Sequence, residues 1–259
     1  MNKNHKHSKH ALAKATTPLA VIQQHTMTSD TQTNTDTSPY FAAIDLGSNS
    51  FHLLIVKVNN GTLETIDRVK EMVQIARGLS SNGALLEGAQ ERALHCLRCF
   101  QERIRDIPPE QVRVAGTKAL RSASNADHFI NLAEAALGRP IDIISGYEEA
   151  RLVYLGVAQE ISTDKGQQLV IDIGGGSTEF IIGAERKAQL LESLSIGCVT
   201  FSDRHLQRAN NPLVDAEGDN AAVINQHMIN AVYYATCLEL ELISRKYLAT
   251  GWDLSLIHI

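Results

Sequence analysis

Hydrophobic residues fall into short runs separated by polar turns, and in the first half of the chain they predict strands followed by helices. Apolar runs bounded by Asn, Gly, Ser or Pro predict strands at 41–46, 51–58, 62–74, 112–115 and 141–144. Apolar residues at the helical period predict helices at about 84–105, 126–137 and 147–159. The turn signals Asn60-Gly61 and Pro108-Pro109 and the stop at Gly138 separate these elements.

The second half repeats this order of elements. Its apolar runs predict strands at 168–173, 178–183 and 187–194, and its periodic segments predict helices near 198–208 and 219–246. Each half thus begins with antiparallel strands and continues with helices, which predicts an α/β fold of two related lobes. We expect a polar tail over 1–39, a first lobe over 40–152 and a second lobe over 153–259.

Residues 1–39 differ in composition from the rest of the chain. They are rich in Thr, Ser, Asn, Asp, Lys and His, and the first aromatic residue is Tyr40. Such a segment buries too little apolar surface to compensate for its ordering entropy, so we expect a disordered tail. Met27 is a candidate start of the natural protein, which would make the residues before it an upstream extension.

One segment occurs twice, 127 residues apart: Ile44–Ser50 reappears as Ile171–Ser177, and the apolar residues that follow stay in register. Each copy is a strand, an Asp, a turn of small residues and a second strand. A single copy usually indicates only a hairpin turn. A repeated turn has no structural need for the same Asp, so the repetition favours a shared chemical role.

The repeated loops have the residues that a phosphate site requires. Small residues let backbone N–H groups approach an anion, a Ser hydroxyl adds a donor, and an Asp can hold hydrated Mg²⁺. The loops therefore predict phosphate binding across a cleft by Gly47, Ser48, Asn49, Ser50, Gly174, Gly175, Gly176 and Ser177. Asp45 and Asp172, at the strand ends, are candidate metal ligands.

Composition restricts the class of protein. Of the 259 residues, 44% are hydrophobic and 20% charged, as in ordinary globular proteins, and no apolar run is long enough for a membrane helix. The net charge of −5 argues against nonspecific nucleic-acid binding but leaves room for a locally basic cleft. The four cysteines form no disulfide framework, and a reducing cytoplasm is the simplest location. We interpret Cys96 and Cys99 as packing residues of a buried helix face.

Two adjacent carboxylates begin the helix predicted at 147–159. Ser145 and Glu148 have the spacing of a capping box, which gives Glu148 a structural role. Glu149 lies beside the stripe that should face the core. It is either a favourable charge at a helix N-terminus or a carboxylate that orients and deprotonates a water molecule. The sequence leaves both interpretations open.

Further charged residues follow two strands. Lys118 and Arg121 come after the strand at 112–115, where open α/β folds bind ligands. Arg121 can clamp a phosphate, although a solvated surface pair is the usual alternative. Glu179 follows the second loop and is either a metal ligand or an outward-facing strand residue.

Five motifs in order resemble the exopolyphosphatase and guanosine-pentaphosphate phosphohydrolase (Ppx/GppA) family. The matching segments are Phe41–His52, Gly116–Arg121, Ile144–Arg151, Val170–Glu179 and Gly197–Thr200, and the resemblance extends over about 40–252. That family belongs to the superfamily of actin, sugar kinases and heat-shock chaperone ATPases. The resemblance implies two actin-like (ribonuclease H-like) lobes with a cleft between them.

The resemblance also implies an activity and a set of site residues. It implies hydrolysis of a terminal phosphoanhydride with Mg²⁺, in polyphosphate or in guanosine pentaphosphate. Glu149 is similar to the catalytic carboxylate of the family, and Arg121 to its phosphate-binding arginine. Asp172 and Glu179 are similar to its metal-side acids, and the two loops to its phosphate loops.

The end of the chain departs from the family pattern. After Gly251-Trp252 the family continues with a strand and a Gly-Ala-Ser-Gly-Thr turn, whereas this chain continues Asp-Leu-Ser-Leu-Ile-His-Ile. We therefore expect a truncated second lobe with a foreign end.

The motifs divide between the two family substrates. The triple glycine at 174–176 resembles exopolyphosphatases, whereas Asp106–Pro109 and Gly197–Thr200 resemble the pentaphosphate enzymes. On balance the sequence leads us to predict polyphosphate, with guanosine pentaphosphate (pppGpp) as the alternative. A more distant alternative is an ATP-dependent kinase or a non-catalytic actin-like phosphate-binding protein, because both share the two loops. We expect no nucleic-acid partner and no membrane span, and a homodimer is a candidate assembly.

Overall fold

The structure is a computed structural model that describes residues 39–159, 166–206 and 226–257, the last five as backbone only. The predicted tail at 1–39 lies almost entirely outside the described residues. No helix in these ranges is both long and apolar enough to cross a bilayer.

The first half forms a sheet with the strand order β3-β2-β1-β4-β5. Its strands are β1 (Tyr40–Leu46), β2 (Phe51–Asn59), β3 (Thr62–Glu71), β4 (Val112–Gly116) and β5 (Asp142–Ile143). β2 pairs antiparallel with β1 and β3, while β4 is parallel to β1 and β5. On β1, Ala42, Ile44 and Leu46 point to one face of the sheet and are buried in its main core, while Ala43 is buried on the other face.

Helices cover that buried face. They are α1 (Glu87–Ile104), the short α2 (Lys118–Ser122) and α3 (Ala126–Leu137). Leu97, Phe100 and Phe129 are almost fully buried and pack with the strand residues in one core. The predicted helix at about 84–105 and its buried face are thereby confirmed, although the helix begins at Glu87 and Leu86, at the N-cap, is exposed.

The second half forms a sheet with the order β8-β7-β6-β9. Its strands are β6 (Gln168–Ile173), β7 (Thr178–Ala184), β8 (Lys187–Leu194) and β9 (Asp253–Ile257). β7 is antiparallel to β6 and β8, and β9 is parallel to β6. The second sheet therefore repeats the order and directions of β3-β2-β1-β4, and the predicted pair of related α/β lobes is confirmed.

Helices lie on both faces of the second sheet. On one face, α4 (Gly146–Val157) packs Val153 and Tyr154 against Val170 and Ile181. On the other, α6 (Gln226–Thr250) buries Tyr247, whose hydroxyl donates a hydrogen bond of 2.6 Å to the carbonyl of Phe180. The remaining helix, α5 (Cys198–His205), reaches back to the first lobe and places Val199 in its core.

Several predicted boundaries differ from the structure. β3 ends at Glu71 rather than 74, because Gln74 adopts a left-handed conformation before a 3₁₀ turn at Ile75–Gly78. The chain after Trp252 forms β9, so a strand does follow Gly251-Trp252. The boundary at 152/153 stays a prediction, and it falls inside α4, whose buried face packs on the second sheet.

The interpretation of Cys99 as a packing residue is wrong. Cys96 is buried, but Cys99 is exposed, because it lies three residues further round the helix and off the apolar stripe. The four cysteines are free thiols.

Candidate active site

The two repeated loops face each other across one cavity. The loop at 47–50 joins β1 to β2, the loop at 174–177 joins β6 to β7, and both line a cavity of about 290 Å³, called here the cleft cavity. A Cβ atom on Gly175 would lie 2.9 Å from the backbone nitrogen of Asn49. The loops are therefore in direct contact at their tips, and only glycine fits there.

The backbone carbonyls of both loops are tied to the surrounding chain. In the first loop, the amides of Gln74 and Ala76 donate to the carbonyls of Asn49 and Ser48 at 2.7 and 3.0 Å. In the second, the first amides of α5 donate to the carbonyls of the loop: Cys198 to Gly174 and Val199 to Gly175, both at 2.9 Å. The Gly197–Thr200 motif thus holds the second loop in position.

Several loop amides remain unused. Within the ranges that the structure describes, the N–H groups of Ser48, Asn49, Gly175 and Gly176 donate no hydrogen bond. Buried backbone donors normally find a partner, and successive free N–H groups at a turn suit an anion. Since these residues line the cleft cavity, the predicted phosphate loops are brought together as two facing sets of donors.

Serine hydroxyls complete the first loop. The Oγ of Ser48 is buried and accepts a hydrogen bond from the amide of Ala119 at 3.2 Å, which ties the loop to α2. The Oγ of Ser50 lies 3.0 Å from Nε2 of His52. The predicted motif at Gly116–Arg121 therefore supports the first loop, as Gly197–Thr200 supports the second.

Four carboxylates converge on the cleft cavity, which is lined by Asp45, Glu149, Asp172 and Glu179. Burial, followed by the charge of Glu179, raises the pKa of Asp45 to about 7. Burial and the charges of Glu179 and Asp45 raise the pKa of Asp172 to about 8. Burial also raises the pKa of Glu179, against hydrogen bonds from Ser193 and Ser177. So much negative charge in one enclosed space requires protons or a cation.

Glu149 extends from the first turn of α4 into this space. Its pKa is raised well above the ordinary value, mainly by burial and then by Glu179 and Asp45, while Arg121 acts in the opposite direction. The Arg121 guanidinium lies 3.3 Å from the Glu149 carboxylate and donates to the carbonyl of Ile144 at 2.6 Å. Arg121 is not among the residues that line the cleft cavity within the described ranges. Its geometry is that of a residue that orients Glu149.

The neighbouring Glu148 has a different environment. The Ser145 hydroxyl accepts a hydrogen bond from the Glu148 amide at 3.1 Å, as a helix cap requires. The reciprocal half of the predicted capping box is wrong, because the Glu148 carboxylate binds Arg151 through two hydrogen bonds of 2.7 Å. This pairing lowers the pKa of Glu148 and directs its side chain away from the cleft.

The acidic residues fit a weakly chelated Mg²⁺ ion. No group of three or more His, Cys, Asp or Glu side chains in the described residues could alone hold a metal ion. Mg²⁺, however, is commonly held by one or two carboxylates together with water and substrate phosphates. The buried Oδ1 of Asp172 has no hydrogen-bond partner within the described residues, which leaves this oxygen able to act as a ligand.

Sequence reasoning missed several residues of the site. His52, Lys70, Thr117 and Cys198 also line the cleft cavity, and Ser193 donates a hydrogen bond of 2.7 Å to Glu179. A signal for His52 was present, since the 127-residue repeat aligns it with Glu179. Lys70 and Ser193 lie on the third strand of each sheet, where the sequence carries no repeat.

Comparison with known proteins identifies relatives that match most of the chain. A sequence model of the Ppx/GppA phosphatase family matches residues 54–244. A guanosine-5'-triphosphate,3'-diphosphate pyrophosphatase of Vibrio cholerae is 43% identical over 216 residues, which are 83% of this chain and 41% of that protein. The protein of the same name from Aliivibrio fischeri is 43% identical over 226 residues, 83% of this chain and 45% of that protein. The chain thus spans less than half the length of these curated relatives.

Solved structures extend the comparison to the fold. The crystal structure of an exopolyphosphatase from Cytophaga hutchinsonii superimposes with a TM-score of 0.72 at 28% identity, covering 85% of this chain and 66% of that one. The Aquifex aeolicus PPX-GPPA enzyme superimposes with a TM-score of 0.60 at 26% identity, covering 79% and 64% of the two chains. Since the sequence match covers more than half of the chain and the fold is shared, this chain belongs to the Ppx/GppA phosphatase family.

Proposed function

We propose that the chain carries the catalytic centre of a guanosine pentaphosphate phosphohydrolase, which removes the terminal 5'-phosphate of pppGpp. The observation that carries the reaction class is a pair of facing loops that share one cavity with four carboxylates and whose amides have no hydrogen-bond acceptor among the described residues. The substrate is inferred from the relatives at 43% identity, which are named for guanosine-5'-triphosphate,3'-diphosphate. These relatives favour pppGpp as the substrate, whereas the sequence motifs taken together predict polyphosphate.

The loops would bind the phosphates on both sides of the scissile bond. Charge in phosphoryl transfer spreads over the non-bridging oxygens, so positioned donors stabilise the transition state directly. The amides of Ser48 and Asn49 face those of Gly175 and Gly176 and are fixed by bonds to the loop carbonyls. Because the loops are already in place, little reorganisation is needed when the substrate binds.

Glu149 would act as the general base. A water oxygen forms a bond to the terminal phosphorus, a water proton passes to the Glu149 carboxylate, and the bond from phosphorus to the bridging oxygen breaks. The departing oxygen leaves on the shortened nucleotide with the electron pair of that bond. The raised pKa of Glu149 makes it a better proton acceptor when ionised, and Arg121 holds its orientation.

One or two of the carboxylates of Asp172, Glu179 and Asp45 would hold Mg²⁺, together with water and the substrate phosphates. Bound there, the ion supplies positive charge that neutralises the phosphate oxygens. Ser193 orients Glu179 by a hydrogen bond, and Oδ1 of Asp172 has no hydrogen-bond partner among the described residues, so both carboxylates can accept the ion.

Exopolyphosphatase activity is the second candidate. It is favoured by the fold match to the Cytophaga hutchinsonii exopolyphosphatase, at a lower identity of 28%. A linear phosphate chain would present the same terminal phosphoanhydride to the loops. The suggested homodimer stays a prediction, which sedimentation velocity would test.

The test is phosphate release with Mg²⁺ from pppGpp, long-chain polyphosphate and ATP, measured on the 259-residue chain and on its Glu149→Gln variant. We expect release from pppGpp by the unmodified chain alone. Release from polyphosphate with pppGpp left intact would select the second candidate. Binding of ATP with both other compounds uncleaved would overturn the hydrolase and favour a kinase or an actin-like binding protein.

A further inference from the structure

A row of side chains crosses the first sheet beside the first phosphate loop. Asp45 on β1 is opposite His52 on β2, and His52 is opposite Lys70 on β3. Residues in register on adjacent strands point to the same face, and so do residues two apart on one strand. Arg68 therefore shares this face with Lys70. The row runs from an acidic group at the centre of the sheet to two cations at its edge.

This row opens into the cleft cavity. Asp45, His52 and Lys70 all line it, together with both phosphate loops. Lys70 and Arg68 are exposed, and within the described ranges neither forms an ion pair or a side-chain hydrogen bond. Burial and then the charges of Lys70 and Arg68 lower the pKa of His52 to about 4. His52 therefore lies between the acidic Asp45 and two cations that have no ion-pair partner among the described residues.

The equivalent row of the second sheet has the opposite character. There Asp172 is opposite Glu179, and Glu179 is opposite Ser193. The position of His52 is taken by a carboxylate, and that of Lys70 by a hydroxyl that donates to it. The cleft cavity is therefore acidic along the second lobe and basic at the outer end of the first lobe.

We propose that Lys70, with Arg68 beside it and His52 behind it, forms a second anion subsite that binds a phosphate group of the substrate other than the one cleaved. This inference rests on the proposed function. The acidic wall suits a metal ion and a water molecule, whereas two cations without an ion-pair partner in the described part of the chain suit phosphate oxygens. In pppGpp the uncleaved group is the 3'-diphosphate, which GTP lacks. The subsite would thereby select pppGpp over GTP.

A different explanation is available for a lysine on β3. This strand is at the edge of its sheet, and edge strands often carry lysine to prevent pairing with another chain. The second sheet offers a matched comparison, because Lys187 is exposed on its own edge strand, β8. Lys187 is at the end of β8 remote from the phosphate loop and does not line the cleft cavity among the described residues.

The test is the Kd of pppGpp and of GTP, measured by calorimetry with Mg²⁺ in chains that also carry Glu149→Gln to prevent turnover. We compare Lys70→Ala, Lys70→Arg, Arg68→Ala and Lys187→Ala. Losing one charge-assisted contact should raise the Kd of Lys70→Ala for pppGpp about tenfold and change the Kd for GTP less than about twofold. Lys70→Arg should retain most of the affinity, and Lys187→Ala should match the parent chain.

Different outcomes would overturn the subsite alone or the proposed function together with it. Equal weakening for both nucleotides, or a Lys70→Ala variant that behaves as Lys187→Ala, overturns the subsite while the hydrolase stands. A chain with Glu149 intact that neither binds nor cleaves pppGpp overturns the proposed function and the subsite with it. Because the substituted side chains are exposed, unchanged thermal unfolding of each variant is expected and serves as the folding control.

Discussion

At the scale of single residues, environment assigns the two adjacent glutamates different roles. Glu148 pairs with Arg151 on the surface of α4, and its pKa is lowered. Glu149, one position further round the helix, enters the cleft cavity, and its pKa is raised mainly by burial. Two adjacent glutamates can thus have different roles: Glu148 is a surface ion-pair partner, and Glu149 is placed to accept a proton.

Exchange of either glutamate for glutamine tests this division. Glu149→Gln should lower kcat for pppGpp by about 10²–10⁴-fold with little change in Kd, since a general base contributes in that range. Glu148→Gln, the matched control, should keep kcat within about twofold because a half-exposed ion pair adds little. Steady-state phosphate release and calorimetric Kd provide the two readouts. A Glu149→Gln chain that loses binding would make Glu149 a structural residue.

Asp172 is the residue whose removal should change metal dependence. Asp172→Asn keeps the shape of the side chain but replaces the unpaired carboxylate oxygen with a neutral one. We expect the Mg²⁺ concentration for half-maximal activity to rise about tenfold or more, as losses of metal-site groups usually do. Titration of phosphate release with MgCl₂ measures this, and an unchanged midpoint would remove Asp172 from the metal site.

At the scale of elements, the two hairpins work as one unit because their loops touch. A helix holds each loop by hydrogen bonds from its first turn: α2 holds the first loop, and α5 holds the second. Gly175 packs on Asn49, and a Cβ atom on Gly176 would overlap the Ser48 hydroxyl. Neither loop can be altered at its tip without displacing the other.

Gly175→Ala should therefore disturb the site more than the fold. The added methyl group meets the Asn49 backbone and forces the lobes apart by a fraction of an ångström or more. A displacement of about 1 Å can lower kcat/KM about 100-fold, and overpacking costs about 1–3 kcal/mol of unfolding free energy. Gly166→Ala is the control, since a Cβ atom there meets nothing within 4 Å. Equal activity of both variants would show that loop contact is dispensable.

At the scale of the whole molecule, the lobes enclose more negative charge than they neutralise. Asp45, Asp172, Glu179 and Glu149 all have raised pKa values, and Arg121 is the cation that acts against this for Glu149. In the absence of metal, the folded chain therefore holds protons that the unfolded chain releases. The stability of the whole protein is thereby linked to pH and to cations.

Raising the pH should destabilise the metal-free protein. A carboxyl group whose folded pKa is above its unfolded value contributes most stability in acid and loses it as the pH rises through the folded pKa. With Asp45 near 7 and Asp172 near 8, against 3.8 when unfolded, this loss falls between about pH 4 and pH 8. We expect the Tm to fall by several degrees from pH 5 to pH 8, since each kcal/mol corresponds to about 2–4 °C.

Two comparisons make this prediction specific. MgCl₂ should raise the Tm more at pH 8 than at pH 5, because protons compete with the ion for the same oxygens. The double variant Asp45→Asn, Asp172→Asn should have a flatter Tm between these pH values. A Tm that rises from pH 5 to pH 8 in the metal-free protein would contradict the assignment of raised pKa values.

Local patterns in the sequence predicted the strands, the helices and the small-residue turns, because neighbouring residues encode them, whereas the phosphate-binding role of the loops also required the repeat at 127 residues. The two hairpins, the buried helix stripes and the small residues of Gly174–Ser177 can be read from adjacent positions. The contact between Arg121 and Glu149 could not, since 28 residues separate them and their meeting depends on where α4 packs. The capping box failed for a local reason: Arg151, three residues after Glu148 on the same helix face, competes for its carboxylate.

The alignment of His52 with Glu179 makes the two walls of the cleft unlike. Two identical half-length chains in a symmetric dimer would carry the same side chain at both positions. In this chain the two positions differ, and their neighbours on the next strand differ with them: Lys70 is opposite His52, and Ser193 is opposite Glu179. The repeated hairpins therefore form a cleft whose ends differ in charge, so a polyanion can lie in it in one orientation rather than two.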